Sequence, residues 1–238
     1  HLRAHSEWPN SMVVGRIMLP PESLANPGVS FRQKIEFASV PDSRGPVNTP
    51  NFGTAANMSI LKDRYLTLGG FDQQMVGIED QDFSIRYTTS GGRIVYLPEA
   101  VAVHYDDWLD FEGFCRRQEW ASECTVRLRN RYPDMADGAL RQAVNGPIRF
   151  LREPIGQTAR KALKSAVSVG PGRIALFKGI ATLERRAPES GLLRRMYKLA
   201  LGAHLLKGYR KGLLKYGSNG SIAPAPSSKA RKTQSSTV

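Results

Sequence analysis

The stretch Gly77-Ile78-Glu79-Asp80-Gln81-Asp82-Phe83-Ser84-Ile85-Arg86, followed by Gly91-Gly92, Arg93–Leu97, Pro98 and Ala100–His104, decides the fold class. A glycine leading into carboxylates opens a helix over Asp80–Thr89, because acidic side chains are favoured at the positive end of the helix dipole. The glycine pair stops that helix. The runs Arg93–Leu97 and Ala100–His104, apolar and split by Pro98, read as two short strands. Upstream, Met12–Ile17 is a β-branched run ended by Pro20-Pro21, and Ala55–Leu61 is compatible with a buried strand. Between them, Phe31–Ala38 predicts a helix with Phe31, Ile35 and Ala38 on one face. Lys62–Leu68 predicts a short helix stopped by Gly69-Gly70.

Downstream the pattern turns helical. Trp108–Arg131 places Phe111, Phe114, Cys115 and Gln118 near one face, and Pro133 ends it. Prolines 147, 154 and 171 break residues 141–188 into short helical pieces. Glu189–Tyr216 is the longest helical candidate, with Leu192, Met196, Leu199, Ala203, Leu206 and Leu213 as its apolar stripe. Seven basic side chains, from Arg194 to Lys215, supply its polar side. Residues 217–238 have the composition of a disordered tail. Strands alternate with helices to about residue 105 and helices then take over, which predicts an α/β layer followed by a helical appendage.

The 238 residues carry 34 Lys+Arg against 21 Asp+Glu, a net charge of +13. That sum divides unevenly: residues 1–140 give 14 − 18 = −4, and residues 141–238 give 20 − 3 = +17. Such asymmetry suggests a folded acidic part joined to a basic part that faces an anionic surface, nucleic acid or lipid. Two cysteines, Cys115 and Cys124, make neither a disulfide framework nor a multi-cysteine zinc site, and reduced packing cysteines are expected. No apolar run reaches the ~18 residues of a spanning helix. The chain opens on His1 with no signal-peptide pattern, which leads us to expect a piece of something longer in a cytoplasmic setting.

Three carboxylates at 79, 80 and 82 cannot all face one way. Glu79, Asp82 and Phe83 share one side of the helix, and Asp80 shares another with Ser84. Asp82 and Arg86, four apart, are spaced for an ion pair that leaves Asp80 free. An acidic first turn with a surface ion pair is the plainer reading of the same residues. His104, at the end of an apolar run, suits a metal ligand or the cap of a buried strand. Asp106, Asp107, Asp110 and Glu112 read as an acidic loop entering a helix. Phosphate-binding glycine loops, Gly-x-Ser-x-Gly elbows and His-Glu-x-x-His motifs are absent from the sequence.

The blocks Asn57-Met58-Ser59, Gly69-Gly70-Phe71-Asp72, Gly77-x-Glu79-Asp80-x-Asp82-Phe83-x-x-Arg86, Gly91 through Pro98, and His104 resemble, in order and spacing, the second half of a family-2 glycosyltransferase catalytic domain. His1–His5 and Val13–Gly15 resemble the segment after that family's Asp-x-Asp motif. The resemblance covers about residues 1–130 and, more loosely, a C-terminal helix like Leu192–Leu213. It implies the C-terminal half of a GT-A (Rossmann-like) domain over 1–130; charge, periodicity and composition add a basic helical extension over 131–216 and a disordered tail over 217–238.

The resemblance further implies inverting transfer of a sugar from a nucleotide-diphosphate donor to a glycan or lipid-linked acceptor. Asp80 matches the family's general base, with Glu79 beside it positioning acceptor or base. Asn57, Gly77, Asp82 and Arg86 match positions that bind substrate or support the site. Mg²⁺ or Mn²⁺ is the implied cofactor, with its main ligands upstream of His1 and His104 as a further ligand. A helix N-terminus near Arg86 favours an ionised Asp80. The Asp-x-Asp motif itself is not in the chain, so the isolated 238 residues are expected to transfer no sugar. Arg116-Arg117-Gln118-Glu119-Trp120 departs from the processive members' Gln-x-x-Arg-Trp, which favours single transfer.

The competing reading is a basic binding module for nucleic acid or anionic surfaces, with the Glu-Asp helix structural. Few aromatics accompany the basic residues, which argues against nucleic acid. Residues 189–216 suit either the inner face of an anionic membrane, with the enzyme peripheral there, or packing on the catalytic domain.

Overall fold

The computed structural model describes residues 1–37, 43–134 and 144–217. Predicted features at Ala38 and in the tail from residue 218 onward lie outside the described residues. The chain is α/β, with helix predominating and a small mixed sheet. It divides into two compact units: residues 1–18 with 43–104, and residues 19–37 with 105–217 among those described. The division thus runs through the segment read as residues 1–130, because the chain leaves the sheet after Met18 to enter the helical unit and then returns.

In the first unit, α1 (Leu2–Glu7) leads into β1 (Ser11–Met18). The sheet is completed by β2 (Gly45–Val47), β3 (Met58–Ser59) and β4 (Arg93–Val103), in the order β2-β4-β1-β3. β1 runs parallel to β4, while β2 and β3 pair antiparallel at the edges. Alternation along the two central strands sends Met12, Val14 and Ile94 to one face, packed with Phe83 and Tyr87. Val13, Val95 and Leu97 go to the other face, with Ala4.

Two expectations are corrected here. The runs on either side of Pro98 form one strand, because the ladder slips: Gly15 pairs with Leu97 and the next residue, Arg16, with Val101. Pro98 lies in the looped-out residues, where its missing N–H breaks no ladder bond. Ala55–Leu61 is a 3-10 turn, Ala55–Asn57, and then only the two residues of β3.

α3 (Lys62–Thr67) and α4 (Glu79–Thr89) follow the reading closely. The glycines that stop them, Gly69, Gly70 and Gly91, have φ of +80°, +67° and +82°, backbone that other residues rarely adopt.

The second unit is helical. It comprises α2 (Pro27–Glu36), α5 (Phe111–Arg131), α6 (Ile155–Ala166), α7 (Gly170–Arg186) and α8 (Gly191–Tyr216). Its core joins Phe31, Phe111, Phe114, Leu176, Ile180, Leu193 and Tyr197. Ile35, expected beside Phe31 inside, is exposed. α5 and α8 approach so closely that a Cβ added at Gly208 would overlap the carbonyl oxygen of Glu119. Both cysteines are unpaired and buried, as expected, and burial pushes the Cys115 thiol far up from its ordinary value.

α8 is not a one-sided amphipathic helix. Leu192 is exposed, whereas Leu193, Tyr197, Ala200, Gly208 and Tyr209 are buried, because α5, α6 and α7 pack on several of its sides. Much of its basic charge is bound inside the unit. Buried Glu119 accepts from His204 Nδ1 at 2.8 Å, from Lys207 Nζ at 3.2 Å and from Lys211 Nζ. Lys215 pairs with Glu123 at 3.0 Å. Among the described residues no helix is long and apolar enough to cross a membrane.

Candidate functional site

The acidic cluster sits at the start of α4, as the sequence predicts, and its three carboxylates have three different fates. Asp82 is buried and its Oδ2 accepts from Arg86 Nε at 2.8 Å. The same guanidinium donates to the carbonyls of Leu68, at 2.7 Å, and Gly70, at 2.8 Å. Arg86 also lies over the Phe83 ring, 5.2 Å from its centroid, and Phe83 stacks with Tyr65 and Phe71. The Asp82–Arg86 pair therefore clamps the Gly69-Gly70-Phe71 turn onto α4. Both side chains are thus taken up in holding this turn and helix together.

Glu79 turns back. Its Oε2 accepts from the Gly77 backbone N–H at 2.5 Å, which ties the first residue of α4 to the turn that leads into it; the N-cap, Ile78, has no side-chain cap bond. Gly77 has φ +87°, so a glycine is needed for the chain to enter α4 at this angle.

Asp80 differs from both. Its Oδ1 accepts from the Gln81 N–H at 2.8 Å and its Oδ2 from the Ala55 N–H at 3.3 Å. Among the described residues it has no ion-pair partner. Burial raises its pKa above the ordinary 3.8, outweighing the two backbone donors, and neighbouring Glu79 adds to the rise. The sequence-based expectation of a carboxylate held ionised by Arg86 is thus corrected, since Arg86 is turned toward Asp82 and desolvation dominates. Between pH 3.8 and the raised native pKa the folded chain holds the extra proton, so stability falls as pH rises through that window.

What buries Asp80 was not visible in the sequence. The segment before the 3-10 turn lies against the first turn of α4, so closely that a Cβ on Gly53 would run into Ser84 Oγ and approach the Asp80 carbonyl. Phe52 anchors this segment through an edge-on contact with Tyr96 at 5.6 Å. The only local signal was the small-residue run Gly53-Thr54-Ala55-Ala56, which reads equally well as part of a strand.

Asn57 is a brace. Its Nδ2 donates to the carbonyls of Arg16 at 2.9 Å and Ala100 at 2.8 Å, the two strands' polar groups beside the slip in register. Its Oδ1 meets His1 Nε2 at 3.0 Å. His104 follows directly on β4, exposed, with its backbone N–H bonded to the Met18 carbonyl at 2.8 Å. Among the described residues no group of three or more His, Cys, Asp or Glu side chains is disposed to hold a metal. The described residues do not fit a metal centre by themselves, and His104 alone does not make one.

In the helical unit the acidic loop is accounted for by ordinary pairing. Asp106 binds buried Arg32 at 3.0 Å and also Arg117. Asp107 accepts from Ser23, and Asp110 caps α5 through the Gly113 N–H at 2.6 Å.

A concavity of about 590 Å³ in the first unit is lined by residues that include Arg3, Arg44 and Glu99, and none of the candidate site residues lines it. Compared with protein-family models, curated proteins and solved structures, the chain matches none.

Proposed function

We propose that this chain carries the acceptor-side part of an inverting glycosyltransferase of the GT-A type, with Asp80 as general base. The observation that supports this most is the division of labour at the start of α4. Asp82 is neutralised by Arg86 and Glu79 accepts from Gly77, which leaves Asp80 as the carboxylate held only by backbone donors. A raised pKa moves a carboxylate toward the operating pH, where a base transfers protons most effectively.

In this reading an acceptor hydroxyl lies against Asp80. Its oxygen attacks the anomeric carbon, its proton passes to the Asp80 carboxylate, and the bond from the anomeric carbon to the diphosphate oxygen breaks. One displacement inverts the configuration. The two backbone N–H groups fix the carboxylate without neutralising it, and the Asp82–Arg86 clamp keeps α4 in place beneath it. Donor recognition, neutralisation of the leaving diphosphate and the Mg²⁺ or Mn²⁺ requirement fall to residues other than those described.

The test uses the protein translated from its whole reading frame, supplied with radiolabelled nucleotide sugars and saccharide acceptors. Transfer with inversion, read from the anomeric coupling of the product, is the expected result, and the 238 residues alone should transfer none. Retention of configuration, or hydrolysis with no transfer to any acceptor, would remove Asp80 from the role proposed.

A further inference from the structure

Helix α6 faces the opposite way from a helix that packs by its apolar side. Its inner surface is polar. Lys161 is 2% exposed, with Nζ donating to Glu153 Oε2 at 2.5 Å and to the Pro147 carbonyl at 3.2 Å. Ser165 Oγ accepts from Arg210 Nη1 of α8 at 2.9 Å, and the stem of Lys164 lies against Gly202. The outer surface carries Ile155, Ala159, Ala162, Leu163 and Ala166, all exposed and spaced as one helical stripe. Ile155 is 89% exposed and Leu163 52%.

The segment before α6 continues this surface. Arg152 N–H bonds to the Arg149 carbonyl at 3.0 Å, closing a turn with Phe150 and Leu151 at its corners, 74% and 104% exposed. Leu151 has φ +63°, at a corner where stability alone favours glycine or asparagine. Glu153 holds the turn through the Arg149 N–H at 3.2 Å. Beside it an apolar groove of about 430 Å³ lies between Pro147, Ile148, Leu213 and Leu214, with Arg210 at its edge.

We propose that the Arg149–Arg152 turn and the outer stripe of α6 form a docking surface for an anionic lipid bilayer, with the helix lying flat and the turn inserted. The charge selects the occupant. Residues 144–166 contain five Lys or Arg and a single acid, Glu153, which Lys161 already neutralises. Arg149, Arg152 and Arg160 are exposed beside the apolar residues. A basic rim around an inserted apolar patch matches anionic headgroups above acyl chains. A second copy packed through this same face would set like charges against each other, and a nucleic acid would leave Phe150, Leu151, Ile155 and Leu163 without a partner. The surface differs from the one expected at residues 189–216, whose helix is largely packed inside the unit. It stands independently of the sugar-transfer reading.

The test is sedimentation of the 238-residue chain with vesicles of phosphatidylcholine alone or with about one third phosphatidylglycerol. Binding to the anionic vesicles only, released by salt, is expected. F150S/L151S and I155S/L163S, confirmed as folded by circular dichroism, should each weaken that binding at least about ten-fold. R149E/R152E should abolish the preference for anionic lipid. The proposal is overturned by failure to bind anionic vesicles or by equal binding to neutral ones. Apolar variants that bind like wild type would place the contact elsewhere and overturn it too. So would a wild-type dimer, seen by ultracentrifugation, that those variants dissociate.

Discussion

Asp80→Asn is expected to lower the rate of sugar transfer by about two to four orders of magnitude, the usual contribution of a positioned general base. The substitution keeps an oxygen for one backbone donor and removes the basic site. Loss should therefore appear in kcat, with KM for the acceptor nearly unchanged. Glu79→Gln keeps an acceptor oxygen for the Gly77 N–H and should cost far less. A fall of only a few-fold in Asp80→Asn would assign the α4 acids to structure alone.

Arg86→Ala should be strongly destabilising. It strips the counter-ion from Asp82, whose side chain is fully buried, and leaves the Leu68 and Gly70 carbonyls without their donor. Breaking a buried pair in this way costs about 3–5 kcal/mol. Urea denaturation of wild type and variant measures it as a fall in midpoint at constant slope. A double replacement of Asp82 and Arg86 by leucine and methionine should recover part of the loss, since no charge is then left buried alone. An Arg86→Ala variant with an unshifted midpoint would mean that the clamp does not hold α4.

Much of the first unit was legible because its signals are local. The i, i+4 spacing of Asp82 and Arg86 predicts the ion pair, and the glycine pairs predict helix ends whose positive φ the structure contains. β1 follows from its β-branched run to within a residue at each end, as α5 of the helical unit does from apolar periodicity to within three. Pro98 is a local break and splits β4 into two runs in the sequence, whereas β1 continues alongside through a slip in register that Asn57 stabilises. Such a rescue comes from a residue about forty positions away in sequence and leaves no local trace.

The helical unit was less legible for the same reason. A stripe of one residue in three or four identifies the buried face only when a helix has one neighbour, and α8 meets α2, α5, α6 and α7. At the site, sequence singled out Asp80 but misjudged its electrostatics. The nearby arginine is visible in the spacing, but the loop from Phe52 to Ala55 that buries the carboxylate is brought there by the fold.

The central claim, that Asp80 is the base, is tested most directly by the acid limb of the transfer reaction. The rate, as kcat/KM, should fall with decreasing pH through a single protonation whose midpoint lies above 3.8. That midpoint should coincide with the one of the Asp80 carboxyl carbon, followed by NMR in the same protein. A limb centred elsewhere, or one that persists unchanged in Asp80→Asn, would contradict the account.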